Sequence, residues 1–216
     1  VLILESKLEA NAALLSQLPE ATPVLAVSAQ IMDSVAGFHV HRGVLGIGRR
    51  ISQPTVEEFL GNASEDSLLT VLSDISNHDN VGSIFRNAAA FSSDGVILDS
   101  RCCDPLYRKA LRVSVGGVLT VPWAKGGDIS AIVRELIAGG YAIAALSPSG
   151  RRPIRELPSK GRRALLLGSE GHGLPPALMA RLDTYRIPMS SSFDSLNVAT
   201  ASGIALYAAS RFGQIE

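Results

Sequence analysis

The stretch "IPMSSSFDSLNVATASG", Ile187 to Gly203, starts as a strand and ends as a helix. Asp194 or Ser195 can cap a helix beginning at Leu196, which accounts for one or two polar residues there. The remaining serines and Asn197 exceed what a strand-to-helix turn needs, so the join itself is a candidate site.

Working outward, short apolar runs alternate with helical patterns from Leu68 onward. "LLTVLSD", "GVILDS", "GVLTVP", "YAIAALS", "ALLLG" and "TYRIP" are expected to be strands. Most are continuous rather than alternating, as in a parallel sheet covered on both faces. Val81 to Phe91, Pro105 to Val115, Ile129 to Ala138, Pro175 to Leu182 and Leu196 to Phe212 read as helices. The fold class is therefore α/β, and strand-to-helix loops are expected to line one edge of the sheet. Residues 1–50 give a smaller α/β set, with a helix near Ser6 to Gln17, a strand "PVLAVS", a helix around Ile31 and a strand "GVLGIG". Residues 51–67, polar with Pro, Gly and Asn, read as a linker containing a helical turn or two.

Two further loops join the first. In "DISNHDNVGSIFRNAAAF", Asp74 to Phe91, Asn80 fits an N-cap and Arg86 emerges about two turns in, off the apolar stripe. A cap with a solvated Arg explains the same residues. In "LLLGSEGHGLPP", Leu165 to Pro176, the glycines form G-x-x-G-x-G, the reverse of the dinucleotide fingerprint, and no phosphate-loop Lys follows. Glu170 stands inside this turn, although a plain loop is as good an account of the turn alone.

Composition narrows the classes. The chain has 216 residues, 46% hydrophobic content and zero formal net charge, so it can bury a core and shows no global signature of a nucleic-acid binder. Locally, "RRPIRELPSKGRR" (Arg151 to Arg163) and "HRGVLGIGRR" cluster basic residues. Arg151, Arg152, Arg155 and Arg42 are candidate RNA phosphate contacts, against the simpler reading of a solvated loop. Cys102 and Cys103 are adjacent, which excludes a C-x-x-C site and leaves buried or idle thiols. The four histidines form no metal pair, so no metal is expected. Without a membrane-length apolar run or a leader, the protein is expected in the cytoplasm. A start at Val1, already inside an apolar run, suggests that an N-terminal portion is missing.

In this order, the three loops resemble the three motifs of the SpoU (TrmH-type) RNA ribose 2′-O-methyltransferases of the SPOUT class, over roughly Leu68 to Phe212. "NVGSIFRNAAAF" looks like motif 1, "LLLGSEGHGLP" like motif 2 and "IPMSSSFDSLNVATASGIALY" like motif 3. "DPLYRKALRVSVGG" resembles the segment between motifs 1 and 2 that carries an Arg and a Ser, here Arg112 and Ser114. Residues 1–50 look like the tail of an L30-like RNA-binding domain, leaving 68–216 as the catalytic domain. The resemblance implies a C-terminal trefoil knot and S-adenosylmethionine held by positions matching Gly168, Ile187 and Leu196, with Ser147 and Gly173 beside them. It implies catalysis by Arg86 with Asn80, Glu170, Ser195 and Asn197, and a homodimer whose active sites form at the subunit interface. Arg112 joins the expected RNA contacts, and rRNA is favoured over tRNA as substrate. A catalytically silent RNA-binding homologue is the other outcome, whereas a Rossmann-type enzyme lacks its glycine turn. Three positions depart from the family pattern: Asn87 in place of Ser or Thr, no Gly after Phe91, and Ser190 in place of a Gly.

Overall fold

A computed structural model describes residues 1–190, 192 and 194–210. The chain divides into two compact units, Val1–Ser52 and Gln53–Glu216.

The first unit is a three-stranded sheet ordered β2-β1-β3, with β1 Leu2–Leu4, β2 Leu25–Val27 and β3 Val44–Leu45. β1 pairs parallel to β2 and antiparallel to β3, and it is a strand the sequence pattern did not single out. The expected helix near Ser6 to Gln17 is instead two 3₁₀ turns followed by α1, Ala12–Leu15. None of its residues is buried, so no packing reinforces a marginal helix. α2, Ala29–Ala36, forms where expected, capped by Ser28. The strand in "GVLGIG" shrinks to two residues, since Gly46 and Gly48 contribute no side chain to a sheet.

The second unit opens with α3, Val56–Gly61, inside the stretch read as a linker; Thr55 and Glu58 close a reciprocal capping box. Six strands then form a parallel sheet with one added edge strand, in the order β6-β5-β4-β9-β7-β10-β8. They are β4 Ser67–Leu72, β5 Gly95–Leu98, β6 Trp123–Lys125, β7 Ala142–Leu146, β8 Arg152–Pro153, β9 Arg162–Leu167 and β10 Asp183–Arg186, all paired parallel. Side chains alternate between the two faces. Leu165 and Leu167 join a core with Val81, Ile84, Phe85 and Leu206, while Ala164 and Leu166 join another with Ile132, Leu136 and Leu178. Burial on both faces is why these runs are continuously apolar.

The helices are α4 His78–Ala90, α5 Arg108–Val113, α6 Gly117–Thr120, α7 Ile129–Ala138, α8 Pro176–Met179 and α9 Val198–Ala209. One strand expectation fails: "GVLTVP" is the helix α6, and extended structure resumes only at Trp123. There Gly117 presses on the backbone of α4, where a Cβ would meet the Phe85 carbonyl oxygen at 2.8 Å. The expected caps are also corrected. Asn77 rather than Asn80 caps α4, and Asn197 rather than Asp194 or Ser195 caps α9. α9 is described to Ala209; the expected end at Phe212 lies outside the described residues. No helix of the described residues is long and apolar enough to cross a membrane.

Candidate functional site

Because the strands are parallel, the loops after β4, β7, β9 and β10 leave the same edge of the sheet. The β9 loop is a tight turn. Gly173, at φ +64°, pairs back to Ser169, with its N–H donating to the Ser169 carbonyl at 2.9 Å. A Cβ on Gly168 would lie 2.5 Å from the carbonyl carbon of Gly173, so only glycine allows the turn to close. The β7 loop is tied to β10, where Ser147 N–H donates to the Tyr185 carbonyl at 2.9 Å and Arg186 donates to the carbonyls of Gly150 and Arg151.

These loops enclose a cavity of about 470 Å³. Gly168, Gly173, Ser147, Ile187 and Leu196, the five positions expected to hold a cofactor, all line it, as do Glu170, Ser195 and Asn197. Leu146, Leu167, Tyr185 and Met189 supply apolar walls. The serines at the family departure lie apart: Ser190 and Ser192 are exposed and share a 2.9 Å hydrogen bond, and Ser191 lies outside the described residues.

At the cavity's edge Asn197 joins the three loops. Its Oδ1 accepts from the N–H groups of Ala199 (2.9 Å) and Thr200 (3.3 Å), which caps α9 and fixes the amide's orientation. Its Nδ2 then donates to Asn80 Oδ1 at 3.0 Å and to Glu170 Oε1 at 2.6 Å. Asn80 is buried in the first turn of α4, and Glu170 is exposed at the tip of the glycine turn with Oε2 unclaimed among the described residues.

Arg86 stands apart from this cluster. It is exposed on α4, lines none of the three cavities described here, and has no polar partner among the described residues. Arg112 on α5 is likewise exposed, without the carbonyl cap that its helix-end position suggested. The basic loop divides. Arg151 donates to the Leu182 carbonyl at 2.6 Å, and Arg152 pairs with Glu156 and lies 5.1 Å over the Tyr185 ring. Arg162 and Arg163 bond backbone carbonyls, leaving Arg155 and Lys160 unengaged among the described residues. Arg42 is exposed in the first unit.

Two residues in this region, Asp99 and Ser169, escaped the sequence reading, and a third, Asn87, was noted there only as a departure. Asp99, 1% exposed, receives the Ser73 hydroxyl and the N–H groups of Asp74, Arg101 and Cys102, so it clamps the β4 loop. The signal was an Asp closing a buried apolar strand. Asn87 donates to the Ala199 carbonyl (2.8 Å) and the Ser202 hydroxyl (2.9 Å), which ties α4 to α9 and explains the amide at that departure. Ser169 lines the cavity, and its hydroxyl is buried without a hydrogen-bond partner among the described residues. The thiols are quiet: burial, then the Asp99 charge, pushes Cys102 far up, and burial raises Cys103.

Comparison with known proteins agrees with this geometry. The model of the SpoU rRNA Methylase family matches residues 67–207. An uncharacterised tRNA/rRNA methyltransferase of Mycobacterium bovis is 42% identical over 198 residues, covering 88% of this chain and 67% of the relative. The crystal structure of an AdoMet-bound rRNA methyltransferase from Sinorhizobium meliloti superposes with a TM-score of 0.78 at 24% identity, covering 100% of this chain and 80% of that one, a likeness of fold. A structure described as giving insight into 2-OH methylation of C/U34 on tRNA matches at TM-score 0.63 and 28% identity, over 70% of this chain and 99% of that one. With the family model spanning all three loops that meet at Asn197, the chain belongs to the SpoU rRNA methylase family.

Proposed function

We propose that the protein transfers the methyl group of S-adenosylmethionine to a ribose 2′-hydroxyl of structured RNA, with rRNA preferred to tRNA. The observation that carries this reading is the Asn80–Asn197–Glu170 cluster, which sets a carboxylate at the edge of a 470 Å³ cavity. The cavity fits the cofactor: backbone groups at Gly168, Ile187 and Leu196 and the Ser147 hydroxyl supply polar contacts, and Leu146, Leu167 and Tyr185 supply apolar ones. When bound, S-adenosylmethionine presents an electrophilic methyl carbon on a sulfonium that departs as a neutral thioether, so the reaction makes no demand for a metal.

The chain's own residues orient the acceptor and handle its proton. A guanidinium is a poor base, so Arg86 takes a binding role. It fixes the neighbouring phosphate and hydroxyl and favours the developing alkoxide, while Glu170 or a water takes the proton. Among the described residues, Arg86 lines none of the three cavities, which supports a homodimer in which it serves the partner's site. The knot belongs to the same reading; the support is a strand order that lays β10 between β7 and β8, which one loop joins. Residues 1–50 are read as part of an L30-like RNA-binding domain, which favours rRNA, and the protein as cytoplasmic.

Labelled-methyl transfer to total RNA, with and without the protein, tests the reaction, and mapping the 2′-O-methyl groups lost on gene deletion identifies the target. Arg86→Ala is expected to retain cofactor binding and lose transfer, whereas Gly168→Ala weakens binding itself, both read by calorimetric titration. Near-full single-turnover activity in Arg86→Lys would remove the planar-fork role.

A further inference from the structure

Besides the cofactor cavity, a space of about 270 Å³ lies between the β4 loop and the turn 169–172, and a groove of about 620 Å³ runs between α4 and α9. A different feature lies outside all three, where α4 and α5 begin. Tyr107, the residue before α5, lays its ring against that of His78, the first residue of α4, with centroids 4.3 Å apart and planes inclined at 45°. Leu106 and Leu111 on either side pack against the core, yet Tyr107 is 45% exposed. Neither ring has a polar partner among the described residues.

The pair is braced by its helices. Gly82, one turn after His78, meets α5 so closely that a Cβ there would lie 2.6 Å from the Ala110 carbonyl oxygen. Lys109 reaches back from α5 to Asp79 at 2.8 Å. The two ring-bearing helix starts are therefore fixed against each other, and the Tyr107 ring loses little freedom when a second flat group settles on it. Cations accompany the rings: Arg108 and Arg112, four residues apart and so on one face of α5, are exposed and unpaired among the described residues.

Core packing accounts for a buried aromatic pair but not for one left open to solvent beside unpaired guanidinium groups. Nucleic acid fits both parts, because every base has a face to stack and every phosphate a charge to neutralise. Paired bases keep their faces inside a helix, so the fitting partner is an unpaired nucleotide. His78 precedes Arg86 by two turns of the same helix, about 12 Å along its axis.

We propose that Tyr107, backed by His78, is a stacking platform for an unpaired base flanking the methylated nucleotide, with Arg108 on the adjoining phosphate. This rests on the RNA methyl-transfer reading above and deepens it: the platform selects an acceptor in a loop or bulge over the same nucleotide within a helix.

The variants Tyr107→Ala, Tyr107→Trp and Arg108→Ala test it. Each is assayed by filter binding of total RNA from a strain deleted for the gene, over a range of salt, and by methyl transfer to that RNA. Tyr107→Ala is expected to bind about tenfold more weakly with an unchanged slope of log affinity against log salt, since stacking releases no counterions. Its KM for RNA rises by the same factor while kcat stays within about twofold. Arg108→Ala is expected to reduce the salt slope by about one. Tyr107→Trp keeps wild-type binding, and its indole fluorescence is quenched by the RNA; Trp123, the chain's one native tryptophan, is buried and supplies the background. Wild-type affinity in Tyr107→Ala overturns the proposal, as does an indole that the RNA leaves unquenched. A loss in Tyr107→Ala that comes with a reduced salt slope also overturns it, leaving a phosphate contact only. If Tyr107→Ala fails to fold, the quenching in Tyr107→Trp decides alone. A wild-type protein that binds RNA through Tyr107 and transfers no methyl group sinks the methyl-transfer reading and leaves the platform standing; one that binds no RNA sinks both.

Discussion

At the scale of single residues, Asn197 does more than a catalytic side chain needs to. Both of its amide ends are committed, one to the α9 backbone and the other to Asn80 and Glu170, so it acts by positioning the carboxylate. Two substitutions separate the roles. Asn197→Ala removes the cap and the bridge together, with an expected loss of about 1 kcal/mol in stability and most of the transfer rate. Asn197→Asp still caps the helix but sets an anion beside Glu170, so thermal melts should remain near wild type while single-turnover transfer falls as in the alanine variant. An active aspartate variant would show that the amide bridge is dispensable.

Among the elements, the end of α4 explains a family departure. Ser92 adopts φ +54°, while Ser93 N–H bonds the Ala88 carbonyl at 2.8 Å and Ser92 N–H the Ala89 carbonyl at 3.4 Å, a Schellman ending that normally takes glycine. Ser92→Gly should therefore stabilise the protein by about 0.5–1 kcal/mol, raising the melting temperature by roughly 2 °C in a calorimetric scan; a drop would mean that chain entropy outweighs the relieved strain. The same element shows what the sequence could and could not reveal. The apolar stripe of α4, Val81, Ile84, Ala88 and Phe91, was legible because the first three are buried in one core and Phe91 packs against it. Its first residue was not, because Asn77 and Asn80 are equally good caps and only tertiary contact with Asn197 pulls Asn80 into the helix. "GVLTVP" has strand composition, yet Gly117 must pack on the α4 backbone, and that contact decides for helix. The cavity-lining positions came from family resemblance, since nothing in the spacing of Ser147, Gly168 and Ile187 says that they meet. Ser169 and Asp99 stayed hidden because a missing partner and a convergence of donors exist only in three dimensions.

At the scale of the whole molecule, the absence of Arg86 from the lining of the three cavities described makes the proposed dimer testable. If each Arg86 serves the partner's pocket, Arg86→Ala and Glu170→Ala chains, both inactive alone, should regain about a quarter of wild-type transfer when mixed and re-equilibrated, because half the dimers then hold one intact site. Mixtures that stay inactive although mixed dimers form would place Arg86 in its own subunit's site. The sheet order carries a last consequence, for synthesis. β4 and β7 have no neighbour in common except β9, so the strands β4 to β6 and the later strand β7 are unconnected pieces until Leu167 has been made. Among the described residues, those lining the cofactor cavity run from Leu146 to Ala201. A ribosome that stalls earlier on this message releases a fragment with most of its helices encoded and no place to hold a methyl donor, so an incomplete chain has no means of modifying RNA.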